Sequence, residues 1–214
     1  MPAHPPRRHR PARSLPAAWR LIAATVALAL SACAGSQAPA NKAVYDFGPT
    51  ATLATAAATA PAFPGALTLA EVGASLALDS NAVQYRLAYA NPQELRPYAL
   101  ARWTMAPAQL IQQRVRSVLT ARGPVLAPGV GSPAHILKLD LEEFSQVFSA
   151  PGSSQGVVQL RATLLKDNTL AAQRSFSVQA PAPTADASGG VRALSEAADE
   201  VAKQLSDWVG DNMR

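Results

Sequence analysis

The only cysteine of the chain, Cys33, stands directly behind a ten-residue apolar run, Leu21 to Leu30, and two small residues, Ser31 and Ala32. Ahead of the run lie Arg7, Arg8, Arg10, Arg13 and Arg20, with no acidic residue among them. A basic leader, a short greasy segment, small residues and a cysteine form the pattern read by bacterial lipoprotein signal peptidase and its acyl-transferring partners. The arginines hold the leader on the cytoplasmic side, and the run suits a signal core but falls far short of the ~20 apolar residues that span a bilayer. On this reading residues 1–32 are a signal peptide, and Cys33 becomes the first residue, acylated on its thiol and its amine. One chain at ~0.8 kcal/mol per buried methylene binds marginally, whereas several chains on one cysteine hold a protein to a membrane. The competing reading, a core helix with a buried thiol, needs polar residues at helical spacing, and Ala23 to Ala29 shows no such alternation.

Cleavage changes what the composition means. The chain has nineteen Lys and Arg against fourteen Asp and Glu, and the five leader arginines account for the excess. The mature chain is neutral, so the pI near 9.8 belongs to the signal peptide. A nucleic-acid partner, which needs a basic surface, loses its support. Residues 33–214 suffice for one domain with a proper core. With Cys33 acylated no disulfide can form, so packing must hold the fold. No second apolar run is long enough to cross a membrane, and Ala34 replaces the aspartate that retains many lipoproteins in the inner membrane, which points to the periplasmic face of the outer membrane.

Ala34 to Val44 is small and polar and reads as a tether. Tyr45 and Phe47 at strand spacing, with Gly48-Pro49 behind them, predict a short edge strand over 45–47. Thr50 to Gly65 is Ala, Thr and Pro almost throughout and reads as a second flexible connection, stopped from helix formation by Pro61 and Pro64. Residues 33–65 are therefore expected to be a lipidated tether, and 66–210 the folded domain. Leu67-Thr68-Leu69, Val83/Tyr85/Leu87/Tyr89 and Tyr98 to Trp103 alternate as strands do. Leu110, Ile111, Val115, Val118 and Leu119 then share one side of a helix, with Thr104 the expected N-cap, Pro107 in the first turn and Gly123-Pro124 the stop. Leu137, Leu139 and Leu141 alternate with Lys138, Asp140 and Glu142, and the phase slips before Phe144, which predicts a bulge. Val158 to Leu164, a turn at Lys166-Asp167-Asn168-Thr169, and a strand with Phe176 and Val178 inward make a hairpin. A closing helix from about Val191 to Val209 buries Val191, Leu194, Ala198, Val201, Leu205 and Trp208, with Gly210 as its expected C-cap. The sum is an α+β fold: a mostly antiparallel sheet with two helices packed on one face, a two-layer sandwich.

The chemistry is mostly absence. One histidine, His135, survives cleavage, and no free cysteine remains, so the usual zinc site cannot be assembled within one chain. Gly129-Val130-Gly131-Ser132-Pro133 lacks the strand-to-helix setting of a serine nucleophile, and Gly189-Gly190 lacks a phosphate-loop lysine. Asp140, Glu142 and Glu143 fit a solvated strand face better than an acid and base pair. No catalytic residue, metal or cofactor is expected, and a lipid-anchored hydrolase lacks its constellation. Arg102 and Trp103, at a strand end, are candidates for contact with a lipid head group or partner, set against Trp103 serving the core. Arg86 and Glu142, outward by alternation, are the first choices for partner contacts.

From Cys33 onward the chain resembles the ABC-type transport auxiliary lipoproteins, the PqiC-like group. The resemblance lies in Tyr45-Asp46-Phe47, Leu67-Thr68-Leu69, Val83-Gln84-Tyr85-Arg86 and Arg102-Trp103 followed by Pro107 and Leu110-Ile111. It continues through Leu137-Lys138-Leu139, Arg174-Ser175-Phe176 and the helix ending in Trp208. The Ala/Thr stretch from Thr50 to Gly65 departs from the pattern. The resemblance implies a non-enzymatic accessory of an ABC or MCE-type system that moves lipids or other apolar compounds between the two membranes. Its implied partners are an MCE-type periplasmic protein and an ABC permease and ATPase, with the chain itself in a homo-oligomeric ring. A scaffold that seats outer-membrane proteins is the alternative.

Overall fold

The computed structural model describes residues 41–49 and 51–214; Cys33, the signal peptide and residues 33–40 of the tether lie outside them. The fold is α+β, a nine-stranded sheet with two long helices packed against one face. Its spine is β7 (His135–Ala150), sixteen residues long. On one side β7 forms an antiparallel meander with β8 (Ser153–Lys166) and β9 (Thr169–Pro181). Asp167 and Asn168, with φ of 49° and 61°, make the two-residue turn that matches strand twist, while Pro151 and Gly152 (φ 85°) turn the other hairpin.

On its other side β7 is paired piecemeal and always in parallel. β2 (Leu67–Leu69) takes its start, β3 (Gly73–Ala74) its middle and β4 (Ala82–Leu87) its end. Beyond β2 lies β6 (Val125–Leu126); beyond β4 lie β5 (Leu95–Trp103) and, at the edge, β1 (Ala43–Tyr45). The antiparallel ladders carry most of the register, and the short parallel pairings make the sheet mixed. Leu137, Leu139, Leu141, Leu160, Ala162 and Leu164 fill its inner face, each leucine contributing about 2 kcal/mol of burial. The phase slip is a bulge: Leu141 faces Leu160 and Glu143 faces Gln159, which leaves Glu142 without a partner in the ladder.

The helices follow their sequence stripes. In α2 (Pro107–Thr120) the five apolar residues read from the sequence are buried. Its N-cap is Ala106, not Thr104, because the residue before a proline is disfavoured in the helical region and Pro107 presets the first turn. Thr104 is engaged elsewhere, its N–H donating to Tyr45 O at 2.8 Å. The closing helix α3 (Ala187–Asn212) starts four residues before Val191, where the Asp186 carboxylate accepts from Gly189 N–H at 2.8 Å. That bond first, and the Thr184 hydroxyl second, hold the Asp186 carboxyl below the ordinary carboxylate range. All six stripe residues of α3 are buried. Gly210 is not its cap: the helix runs on to Asn212, and a Cβ at 210 would stand 2.3 Å from Arg122 Nη2.

The largest departure lies in the stretch read as flexible. The strand near Tyr45 covers Ala43–Tyr45 rather than 45–47, and a short helix, α1 (Ala51–Ala58), occupies part of the Ala/Thr connection. Alanine has the highest helix propensity, and the prolines at 61 and 64 come too late to prevent one. Phe63 is buried in the core and Phe47 packs against it.

Candidate partner-binding surface

Two buried arginines fasten the segment between β1 and β2 to the helices. Arg114, 2% exposed, lies on the buried side of α2. Its Nη2 donates to Phe47 O at 2.5 Å and Gly48 O at 3.2 Å, its Nη1 reaches Pro49 O at 3.5 Å, and the guanidinium sits 5.5 Å from the Phe47 ring centroid. Arg122, 5% exposed, follows α2. Its Nε donates to Pro61 O at 3.1 Å, its Nη1 to Ser206 O at 2.6 Å, and its plane covers the Phe63 ring at 4.8 Å. The Phe63 N–H in turn donates to Arg122 O at 2.8 Å. Because these grips fall mainly on backbone carbonyls and two aromatic rings, they hold a strap whose other side chains are small.

Arg114 Nε also stands 3.2 Å from Asp199 Oδ1 of α3, but off-axis, so the contact is ionic rather than a directed hydrogen bond. Burial accordingly raises the Asp199 carboxyl more than Arg114 lowers it, with Glu196 adding to the rise. The folded chain thus holds this proton more tightly than the unfolded chain. The resulting stabilisation is full below the ordinary carboxylate range and is lost as pH rises through the raised value. Asp199→Asn should remove this dependence. In melting curves from about pH 3 to pH 7 the wild-type Tm should fall relative to the variant as pH rises. A constant difference would refute the assignment.

The sequence candidates separate on the structure. Adjacent strand residues face opposite sides, so Arg102 and Trp103 cannot act as a pair. Trp103 is fully buried, with Phe47 and Phe144 rings each 5.6 Å from its own, and as a core residue it presents nothing to a partner. Its indole N–H has no hydrogen-bond partner among the described residues. Arg102 is exposed on β5 beside Val44 of β1. Arg86 Nη2 pairs with Glu143 at 3.2 Å, and its Nη1 donates to Pro92 O at 2.9 Å. Glu142 pairs with Arg161 of β8 at 2.5 Å. The bulge explains this arrangement: two consecutive glutamates escape the core, one meeting an arginine from β4 and the other an arginine from β8. The structure therefore brings Arg86, Glu143, Glu142 and Arg161 into one row, two neighbouring glutamates flanked by two arginines, and leaves Arg102 apart from it.

This row is not built for acid and base catalysis, since each glutamate is matched to a guanidinium. His135 is buried at the start of β7, and its Nε2 has no hydrogen-bond partner among the described residues. Tyr98 donates to Gln146 Oε1 at 2.8 Å, and burial first, then Tyr85 and Asp186, push it up to about 12, so it stays neutral. A cleft of ≈ 490 Å³ beside β2 is lined in part by Thr68, Ala70, Gly131, Ser132, Asp167 and Asn168, and Asp167 is its one carboxylate. Among the described residues no cluster of three or more His, Cys, Asp and Glu could hold a metal ion. No described helix is long and apolar enough to cross a membrane.

The family model for the ABC-type transport auxiliary lipoprotein component matches residues 45–206, from the last residue of β1 into the final turns of α3. The chain belongs to the ABC-type transport auxiliary lipoprotein family. The match takes in both arginine grips and the charge row of this auxiliary lipoprotein. Its fold is that of a Xanthomonas campestris protein of the DUF330 family, 22% identical, with 71% of this chain and 87% of that chain covered at a TM-score of 0.65. It is also that of an uncharacterized protein, 14% identical, with 79% and 99% covered at a TM-score of 0.61. No curated protein matches the auxiliary lipoprotein.

Proposed function

We propose that the chain is a non-enzymatic, lipid-anchored adaptor of an ABC and MCE-type envelope transport system, supporting transfer of lipids or other apolar compounds between inner and outer membranes. Cys33 anchors it to the periplasmic face of the outer membrane, residues 33–40 are the tether, and residues 41–214 form the auxiliary domain, with 41–65 strapped onto it rather than belonging to the tether. The family match over 45–206 carries this reading. The pairing of the outward ionisable groups with one another supports it, since such groups serve contact better than chemistry.

An adaptor works through surfaces, and the charge row supplies one whose central glutamates and flanking arginines a partner of opposite charge pattern would complement. Its contacts are an MCE-type periplasmic protein that works with an ABC permease and ATPase, and further copies of the chain in a ring. Arg86→Glu and Glu142→Lys, made singly, should weaken pull-down of the MCE-type partner or self-association in analytical ultracentrifugation. Glu142→Lys breaks a largely exposed ion pair and should cost about 1 kcal/mol, whereas Arg86→Glu breaks a half-buried one and should cost more. If both variants keep both kinds of association at wild-type strength, the row is not the working surface.

A further inference from the structure

We infer that the β1 edge of the sheet is a membrane-docking rim, on which Lys42, Val44, Leu100 and Arg102 lie against an anionic lipid surface. This rests on acylation of Cys33. Val44 and Arg102 are register partners, so they share a face, and Leu100 joins them by the two-residue period of the strand. Lys42 stands two residues before Val44 and is exposed. Val44 is 49% and Leu100 55% exposed, a pair of bare apolar side chains beside two cations. Neither Lys42 nor Arg102 forms an ion pair among the described residues, so both are available to lipid phosphates. The nearby Asp46 carboxylate is turned back to accept from Gly48 N–H at 2.8 Å. Behind the rim, Ala101 and Trp103 are buried, so only this side of the edge is free.

The occupant follows from where the chain leads. Eight residues, 34–41, separate Cys33 from Lys42. Fully extended they reach about 30 Å, and relaxed about 17 Å. An acylated Cys33 therefore keeps this edge within a few nanometres of lipid at all times, which makes docking effectively intramolecular. Cations with apolar neighbours suit that setting: ammonium and guanidinium groups reach lipid phosphates while Val44 and Leu100 enter the head-group region. The opposite edge, β9, lies across the whole sheet and exposes Leu170.

The test uses the full acylated chain in nanodiscs of phosphatidylcholine with or without phosphatidylglycerol. With Cys33 acylated, Leu100→Cys supplies the single thiol for a polarity-sensitive fluorophore, and Leu170→Cys serves as the distant control. Position 100 should report an apolar setting in the anionic discs only, and position 170 should stay aqueous in both. In the Leu100→Cys background, Lys42→Glu and Arg102→Glu should each cut the docked fraction about fivefold. An aqueous signal at position 100 in anionic discs, with mass spectrometry showing acylated Cys33, would overturn the rim and leave the anchor standing. An unmodified Cys33 would overturn both.

Discussion

Replacing Arg114 by alanine should lower the stability of the folded domain by about 3 kcal/mol. The guanidinium is the donor for the carbonyls of Phe47, Gly48 and Pro49, and it lies against the Phe47 ring. Its loss leaves these carbonyls short of a protein donor, leaves Asp199 without its one paired cation among the described residues, and removes a side chain that is itself buried. The neighbouring ≈ 270 Å³ pocket, lined by Asp46, Phe47, Gly48, Leu110, Gln113 and Ser117 beside Arg114, can admit water. That hydration keeps the loss below the upper range for a broken buried pair. Phe47 also forms one wall of the Trp103 and Phe144 cluster, so the damage should spread along the strap rather than stay local. Arg114→Lys keeps the charge but has a single ammonium for three carbonyls and should recover only part of the stability. Urea unfolding gives the free energy, and limited proteolysis shows whether cleavage concentrates between Phe47 and Phe63. A loss under about 1 kcal/mol would mean that the Arg122 grip and the aromatic rings hold the strap without Arg114.

Local features of this fold were readable from the chain because their causes are local. The Leu137, Leu139, Leu141 alternation, the slip before Phe144 and the Asp167-Asn168 turn each express a period or a backbone requirement that neighbouring residues reveal. The order of β2, β3 and β4 along β7 is set by contacts between residues distant in the chain, and no spacing announces it. The strap falls between these cases. Arg114 sits among Ile111, Val115 and Val118 on the buried side of α2, a position where a cation needs partners, so its helical phase was a usable signal. Arg122 lies beyond the helix next to Gly123-Pro124 and carried none. The alanines after Thr50 supported a helix by propensity alone, and composition masked them because, of the two phenylalanines that tie the segment down, Phe47 stands before the stretch and Phe63 sits between two prolines near its end. Trp103 was decidable by period: with Ala101 inward, it had to follow, and Arg102 had to point away.

Cys33→Ala should abolish acylation and leave a soluble or unprocessed product. The signal peptidase of this pathway cleaves only after the cysteine thiol has been modified, so the variant should stay uncleaved, retaining residues 1–32, or appear as a soluble product of another protease. Lipid labelling should vanish in either case. The size of the effect follows from the anchor: a myristoyl-length chain at ~0.8 kcal/mol per methylene gives only reversible binding, but two or three chains on one residue make release negligible. The rim of Lys42, Val44, Leu100 and Arg102 cannot replace them, since two cations at about 1 kcal/mol each leave a protein mostly in solution. The domain itself should be unaffected, because its core is closed without Cys33, and the melting temperature of any soluble product should match that of the wild type in detergent. Sedimentation of membranes, labelling with a fatty-acid analogue and the mass of the mature N-terminus together decide the matter. Wild-type pelleting and labelling in the variant would show that Cys33 is not the anchor, and with it would go the placement of the β1 edge beside lipid.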